Sequence, residues 1–296
     1  MFQGSLVALV TPMQPDGSID YRSLQQLIEW HIEAKTQAIV VAGTTGEAPT
    51  LSAAETQDLV TRVVMQVAGR IPVIAGTGTN CTRTCIEHTQ AAQAAGVDAC
   101  LIVTPYYNRP TQNGLFEHFK LIAENTDLPI ILYNVPTRTA CDILPETVER
   151  LAKISNIIGI KEATGKIERC TEILQRCDKR FRLFTGNDDN GLEFMQSGGH
   201  GVISVTANVA PHKMSQMCEA ALSGDHALAK KLNAELMPLH TKLFLEANPI
   251  PVKWALHEMG LIPAGIRLPL LPLDPKFHAE VRAALHHADA IQTIKE

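Results

Sequence analysis

The sequence predicts a closed (β/α)₈ barrel with a short helical tail, and three observations carry that prediction. Eight short, nearly continuous apolar runs recur along the first three quarters of the chain. A helix-length amphipathic stretch follows each run. After Gly224 the strand pattern stops and only helical stretches remain. Apolar runs without alternation suit strands covered on both faces, as in a parallel sheet. Eight strands alternating with eight helices over about 220 residues is the barrel count. A doubly wound open sheet is the rival. It usually has fewer strands and a glycine-rich phosphate turn after the first. Here Gly76-Thr77-Gly78 follows the third run and lacks the third glycine, so it is a weak dinucleotide signal.

The runs fall at residues 6–10, 38–42, 72–75, 99–103, 129–132, 157–160, 182–185 and 201–205. The first helix spans 20–35, with Leu24, Leu27, Ile28 and Ile32 on one face. The second, 52–69, opens with Ser52 and Glu55 at capping-box spacing and closes on a glycine. Helices at 80–95, 111–125, 144–154, 165–177, 187–196 and 208–222 follow. Pro145 sits one residue into its helix, where a missing N–H costs nothing. Ala94-Ala95-Gly96 and Ser197-Gly198-Gly199 read as C-terminal stops. The tail carries helical stretches at 225–240, 249–259 and 276–288. This divides the chain into a catalytic barrel, 1–224, and a C-terminal helical domain, 225–296.

Composition narrows the function. The 296 residues are 45% hydrophobic and 19% charged, so a packed core is expected and disorder is not. A net charge of −5 gives no electrostatic reason for nucleic acid or an anionic membrane as partner. The first ten residues have no Lys or Arg ahead of their apolar stretch, which reads as a strand and not a secretion signal. No stretch approaches the roughly 18 apolar residues of a membrane span. Seven cysteines without a CxxC pair fit reduced thiols in a cytoplasmic protein. Eleven histidines form no HExxH or HxxxH cluster and no full glycine-rich nucleotide motif is present, so neither a metal nor an organic cofactor is expected.

Barrel active sites lie at the carboxyl ends of the strands. The sharpest residue there is Lys161, directly after Ile157-Ile158-Gly159-Ile160. A lone lysine is ordinarily a solvated surface charge. One aimed into a barrel mouth loses water, and a neutral amine attacks a carbonyl to form an imine. Tyrosine is scarce, yet Tyr106, Tyr107 and Tyr133 fall beyond the fourth and fifth runs. Singly each suits rim packing; beside an imine-forming lysine, a phenol relays protons. Thr44 is placed to orient such a phenol, or is a turn hydroxyl. Thr45-Gly46 offers backbone N–H groups to a carboxylate, and Arg138 offers a guanidinium fork. Their ordinary roles are a tight turn and a surface salt bridge.

Three segments, Gly43-Thr44-Thr45-Gly46-Glu47, Tyr133-Asn134-Val135-Pro136-Thr137-Arg138-Thr139 and Gly159-Ile160-Lys161-Glu162-Ala163, together resemble the dihydrodipicolinate synthase family. The likeness includes Thr104-Pro105-Tyr106-Tyr107-Asn108 and Asn248-Pro249-Ile250-Pro251-Val252-Lys253, and runs into the C-terminal helices. The Lys and Tyr motifs alone are shared with the wider pyruvate-lyase family. The resemblance implies condensation of pyruvate with L-aspartate 4-semialdehyde, the first committed step towards diaminopimelate and lysine. It implies that Lys161 forms the imine and that Tyr133 relays protons with Thr44 and with Tyr107 from a neighbouring subunit. It further implies that Thr45 seats pyruvate, Arg138 holds the semialdehyde carboxylate, and Gly186 and Ile203 lend backbone carbonyls. Homotetramers, built as dimers of tight dimers, are the common assembly.

One departure concerns feedback. In lysine-inhibited relatives a pocket between subunits binds free lysine. Asn80 and Tyr106 match it, but Ala48, Ala53, Thr56 and Thr84 stand where hydroxyl, imidazole and carboxylate groups are usual. An ammonium needs a carboxylate or several good acceptors. Weak or absent inhibition is therefore expected, and half-inhibition at sub-millimolar lysine would refute it. Two rival functions remain. One is another lysine-dependent aldolase, such as N-acetylneuraminate lyase or a 2-oxo-3-deoxy sugar acid aldolase; Arg138 argues against the sialic-acid branch, which lacks that arginine. The other is a non-catalytic barrel that binds a 2-oxo acid.

Overall fold

A computed structural model describes residues 2–291. Eight parallel strands close into one barrel in sequence order. They are β1 (Gly4–Ala8), β2 (Ala38–Val41), β3 (Val73–Gly76), β4 (Ala99–Val103), β5 (Ile130–Asn134), β6 (Ile157–Glu162), β7 (Arg182–Thr185) and β8 (Gly201–Ser204). The seam pairs Leu6 with Ile203. Around the sheet run α1 (Tyr21–Glu33), α2 (Ala53–Val67), α3 (Thr82–Ala95), α4 (Gln112–Ala123), the single turn α5 (Pro136–Thr139), α6 (Pro145–Leu151), α7 (Ile167–Arg176), α8 (Gly191–Gln196) and α9 (Pro211–Ser223). The tail adds α10 (His226–Lys242), α11 (Ile250–Glu258) and α12 (His278–His287).

The unbroken apolar runs now have a reason. Alternate residues of each strand serve two cores. Leu6, Ala8, Ala38, Val40, Ile74 and Ile131 fill the barrel interior. Val7, Leu9, Ile39, Val41, Ala75 and Leu132 face the helices. Strand residues with both faces buried cannot alternate with polar ones.

Several boundaries differ from the sequence expectation. The first strand begins two residues early, because Gly4 pairs with Gly201 while the Val10 N–H goes to the Asn208 side chain instead. Asn208, expected to open a helix, lies in a 3₁₀ turn and donates across the seam to Ala8 and locally to Val205. The helix expected at 187–196 starts only at Gly191. Residues 187–190 form a loop in which Thr185 Oγ1 donates to Asn190 and buried Asp188 accepts from the Val205 and Thr206 N–H groups. The capping box of α2 is present, with both reciprocal bonds formed. That helix ends in left-handed Ala68, one residue before the expected glycine. Arg138 sits on the single turn α5.

The tail packs on the barrel through α9 and α10, with Met214, Met217, Cys218, Leu232, Leu236 and Leu239 in the same buried cluster as the outer strand faces. Residues 292–296 of the expected C-terminal domain lie outside the described residues. Among the described residues no helix is long and apolar enough to cross a membrane. All seven cysteines are free thiols.

Candidate active site

The register between β5 and β6 aims Lys161. Ile130 pairs with Ile157, but Ile131 pairs with Gly159, so the ladder skips one residue at Ile158. A one-residue shift exchanges the faces of every later side chain. Ile157 and Ile160 consequently both face the helices. Lys161 falls opposite Tyr133 in the register, on the interior side. Without the shift, Ile160 would point inward and Lys161 outward. Gly159 is needed at this point, since a Cβ there would stand 2.4 Å from the Arg182 carbonyl of β7.

Lys161 is only 6% exposed, a near-buried amine at the carboxyl end of its strand. Its Nζ lies 4.4 Å from the centroid of the buried Tyr133 ring. Gly186 closes the other side: a Cβ on it would meet Lys161 Cε at 2.7 Å and Ala163 Cβ at 2.8 Å. Ile203 is fully buried in the barrel interior. The fold therefore brings Lys161, Tyr133 and Gly186 into contact.

Behind the lysine, on the helix side, lies a polar network the sequence reading did not single out. Glu162 is buried and accepts from Asn134 Nδ2 at 3.1 Å and from the Thr164 N–H at 2.8 Å. Burial pushes its carboxyl upward, and those hydrogen bonds oppose the shift. Asn134 also donates to Asp142, which pairs with Arg169 at 2.7 Å. This chain holds the ends of β5 and β6 together from outside. A carboxylate within an apolar strand was the available signal, since such a group is rarely buried without partners.

The β2–α2 loop carries Thr44, Thr45 and Glu47. Thr45 is buried, while Thr44 is half-buried beside it. Asn248, between α10 and α11, donates to Thr45 Oγ1 at 2.9 Å. Its carbonyl accepts from the exposed Arg138 at 3.2 Å. Glu47 forms a buried ion pair with Lys253 of α11 and accepts from the Arg267 N–H. Burial pulls the Lys253 ammonium down and Glu47 raises it. None of Asn248, Glu47 and Lys253 was singled out as a functional residue, although all three lie in the segments that carry the resemblance.

Tyr107 stands apart, 90% exposed with a left-handed φ of 72°. Tyr106 is exposed too. Of the residues expected at a lysine pocket, Asn80 accepts through its carbonyl from Asn108, while Ala48, Ala53, Thr56 and Thr84 lie at the starts of a 3₁₀ turn, α2 and α3.

With this geometry in place, comparison with known proteins is decisive. The model of the dihydrodipicolinate synthetase family matches residues 1–288. The chain belongs to that family. A 4-hydroxy-tetrahydrodipicolinate synthase of Alcanivorax borkumensis is 57% identical over 292 residues, 99% of each chain. The crystal structure of a chloride-inhibited dihydrodipicolinate synthase from Acinetobacter baumannii, complexed with pyruvate, is 52% identical. It superposes with a TM-score of 0.97 over 98% of this chain and all of that one. The dihydrodipicolinate synthase of Cyanidioschyzon merolae, solved with lysine bound, is 37% identical with a TM-score of 0.95 over 98% and 99% of the two chains. As a dihydrodipicolinate synthetase family member, this chain carries its amine on the strand end where barrel enzymes hold their chemistry.

Proposed function

We propose that the protein is a lyase-type synthase that condenses pyruvate with L-aspartate 4-semialdehyde to give 4-hydroxy-tetrahydrodipicolinate through an imine on Lys161. The buried Lys161 amine, packed on the Tyr133 ring at the barrel mouth, carries this reading. The amine adds to the pyruvate ketone carbon and water leaves, giving the imine. The imine draws electrons from the methyl group, which loses a proton and becomes an enamine. The enamine carbon attacks the aldehyde and forms the new C–C bond. The semialdehyde's own amine then adds to the imine carbon, expels Lys161 and closes the ring.

Tyr133 moves the protons of imine formation and breakdown, with Thr44 and a neighbouring subunit's Tyr107 completing the relay. Exposed Tyr107 in a left-handed conformation suits a side chain that inserts into a second copy, since such strain persists where surroundings hold it. We accordingly read the assembly as a homotetramer, a dimer of tight dimers, in the cytoplasm. Thr45 seats the pyruvate carboxylate, Arg138 the semialdehyde carboxylate, and Gly186 and Ile203 turn backbone carbonyls to the site. The pocket around Asn80, Tyr106, Ala48, Ala53, Thr56 and Thr84 lacks a carboxylate among these six, which supports weak lysine inhibition.

Borohydride reduction with pyruvate tests the reading. The expected result is a reduced pyruvyl adduct mapped to Lys161, absent from Lys161→Ala, which also loses turnover. An unmodified protein, or an alanine variant with near wild-type turnover, would overturn it.

A further inference from the structure

We infer that Asn248 is a positioning residue that sets both carboxylate donors of the mouth; this rests on the reading of Thr45 and Arg138 given above. Asn248 is buried, its side-chain Nδ2 donates to Thr45 Oγ1 at 2.9 Å, and its backbone carbonyl accepts from Arg138 at 3.2 Å. A hydroxyl has one proton to give and two lone pairs to fill. With an amide N–H on the Thr45 oxygen, the Thr45 proton stays available for a substrate carboxylate. The Asn248 carbonyl holds one edge of the Arg138 guanidinium, and the other N–H groups remain free to grip a second carboxylate. The backbone that carries Asn248 is itself fixed. The Lys253 N–H bonds the Pro249 carbonyl, and the Lys253 side chain pairs with buried Glu47, two residues beyond Thr45. The segment before α11 thus registers the β2–α2 loop against α5.

The Thr45 arm, the one made by the Asn248 side chain, is read in Asn248→Ala and Asn248→Asp; the backbone bond to Arg138 stays in both. Losing the amide leaves Thr45 free to turn its proton elsewhere. Half-saturating pyruvate, in borohydride trapping and in turnover, should rise about tenfold in Asn248→Ala, with a smaller change in kcat. Asn248→Asp keeps the shape but only accepts, so it draws the Thr45 proton away from substrate and should raise the value further. A space-filling role predicts the reverse order. In a Thr45→Val background, Asn248→Ala should shift half-saturation by less than about twofold, because the group it acts through is gone. Unchanged half-saturation, an equal shift in both backgrounds, or an Asp variant nearer wild type than the Ala variant would each overturn the proposal. If Asn248→Ala fails to fold, the near-isosteric Asp variant carries the test. Wild-type protein that traps no pyruvate would sink the imine reading instead, which keeps the two failures apart.

Discussion

At Lys161 the proposed chemistry has little room to spare. Gly186 leaves no room for a methyl group, because Lys161 Cε and Ala163 Cβ occupy that space. Gly186→Ala should therefore push the amine off its line to the ketone while leaving the fold intact. Misplacement of about 1 Å costs on the order of a hundredfold in rate, so kcat/KM should fall by about that factor with Tm nearly unchanged. A variant with wild-type kcat/KM would show that the contact is slack. Lys161 and Tyr133 were legible in the sequence because each closes an apolar run and the barrel puts strand ends at the mouth. Glu162 and Asn134 sit in the same motifs, yet their role was not readable. It comes from bonds across β5, β6 and the segment beyond, and residue spacing does not encode those.

Among the elements, α11 acts as a brace for the β2–α2 loop through Glu47 and Lys253. Both side chains are buried, and removing one partner would leave the other charge without compensation. Lys253→Met should destabilise the protein by about 3–5 kcal/mol, and adding Glu47→Gln should recover much of that loss. Urea midpoints of the single and double variants check this; equal loss in both would mean the pair itself is not what matters. The sequence predicted α11 as a helical stretch of the tail and predicted α2 with its capping box, and both are present. The shift at Ile158 was not predictable, since the run 157–160 reads as an ordinary buried strand in either register.

For the molecule as a whole, acid is the expected weakness. His31 and His118 are buried neutral, each with Nδ1 2.9 Å from a threonine hydroxyl. Burial pulls His31 down to about 3 and His118 to about 4, against 6.5 for an exposed ring. The folded values are depressed, so the unfolded chain binds more protons below about pH 6.5. The stability tied to the neutral rings is complete above that pH and is lost as pH falls towards the folded values. At about pH 5 each ring should cost about 2 kcal/mol relative to neutral pH. Urea midpoints measured down this range should fall less steeply for His31→Leu and His118→Leu than for wild type. An unchanged slope would rule these histidines out.

The sequence by itself determined the barrel, the order of its elements and the strand that carries the amine. Those follow from local apolar periodicity and from motifs a few residues long. Only the tertiary structure decided which way Lys161 points and what steadies the mouth around it. The direction follows from the register of two paired strands. The bracing links residues about 200 positions apart, Asn248 to Thr45 and Lys253 to Glu47. A hydrogen bond or ion pair forms where side chains meet in space, and here that meeting is made by the closure of the sheet and the return of the C-terminal helices over its open end.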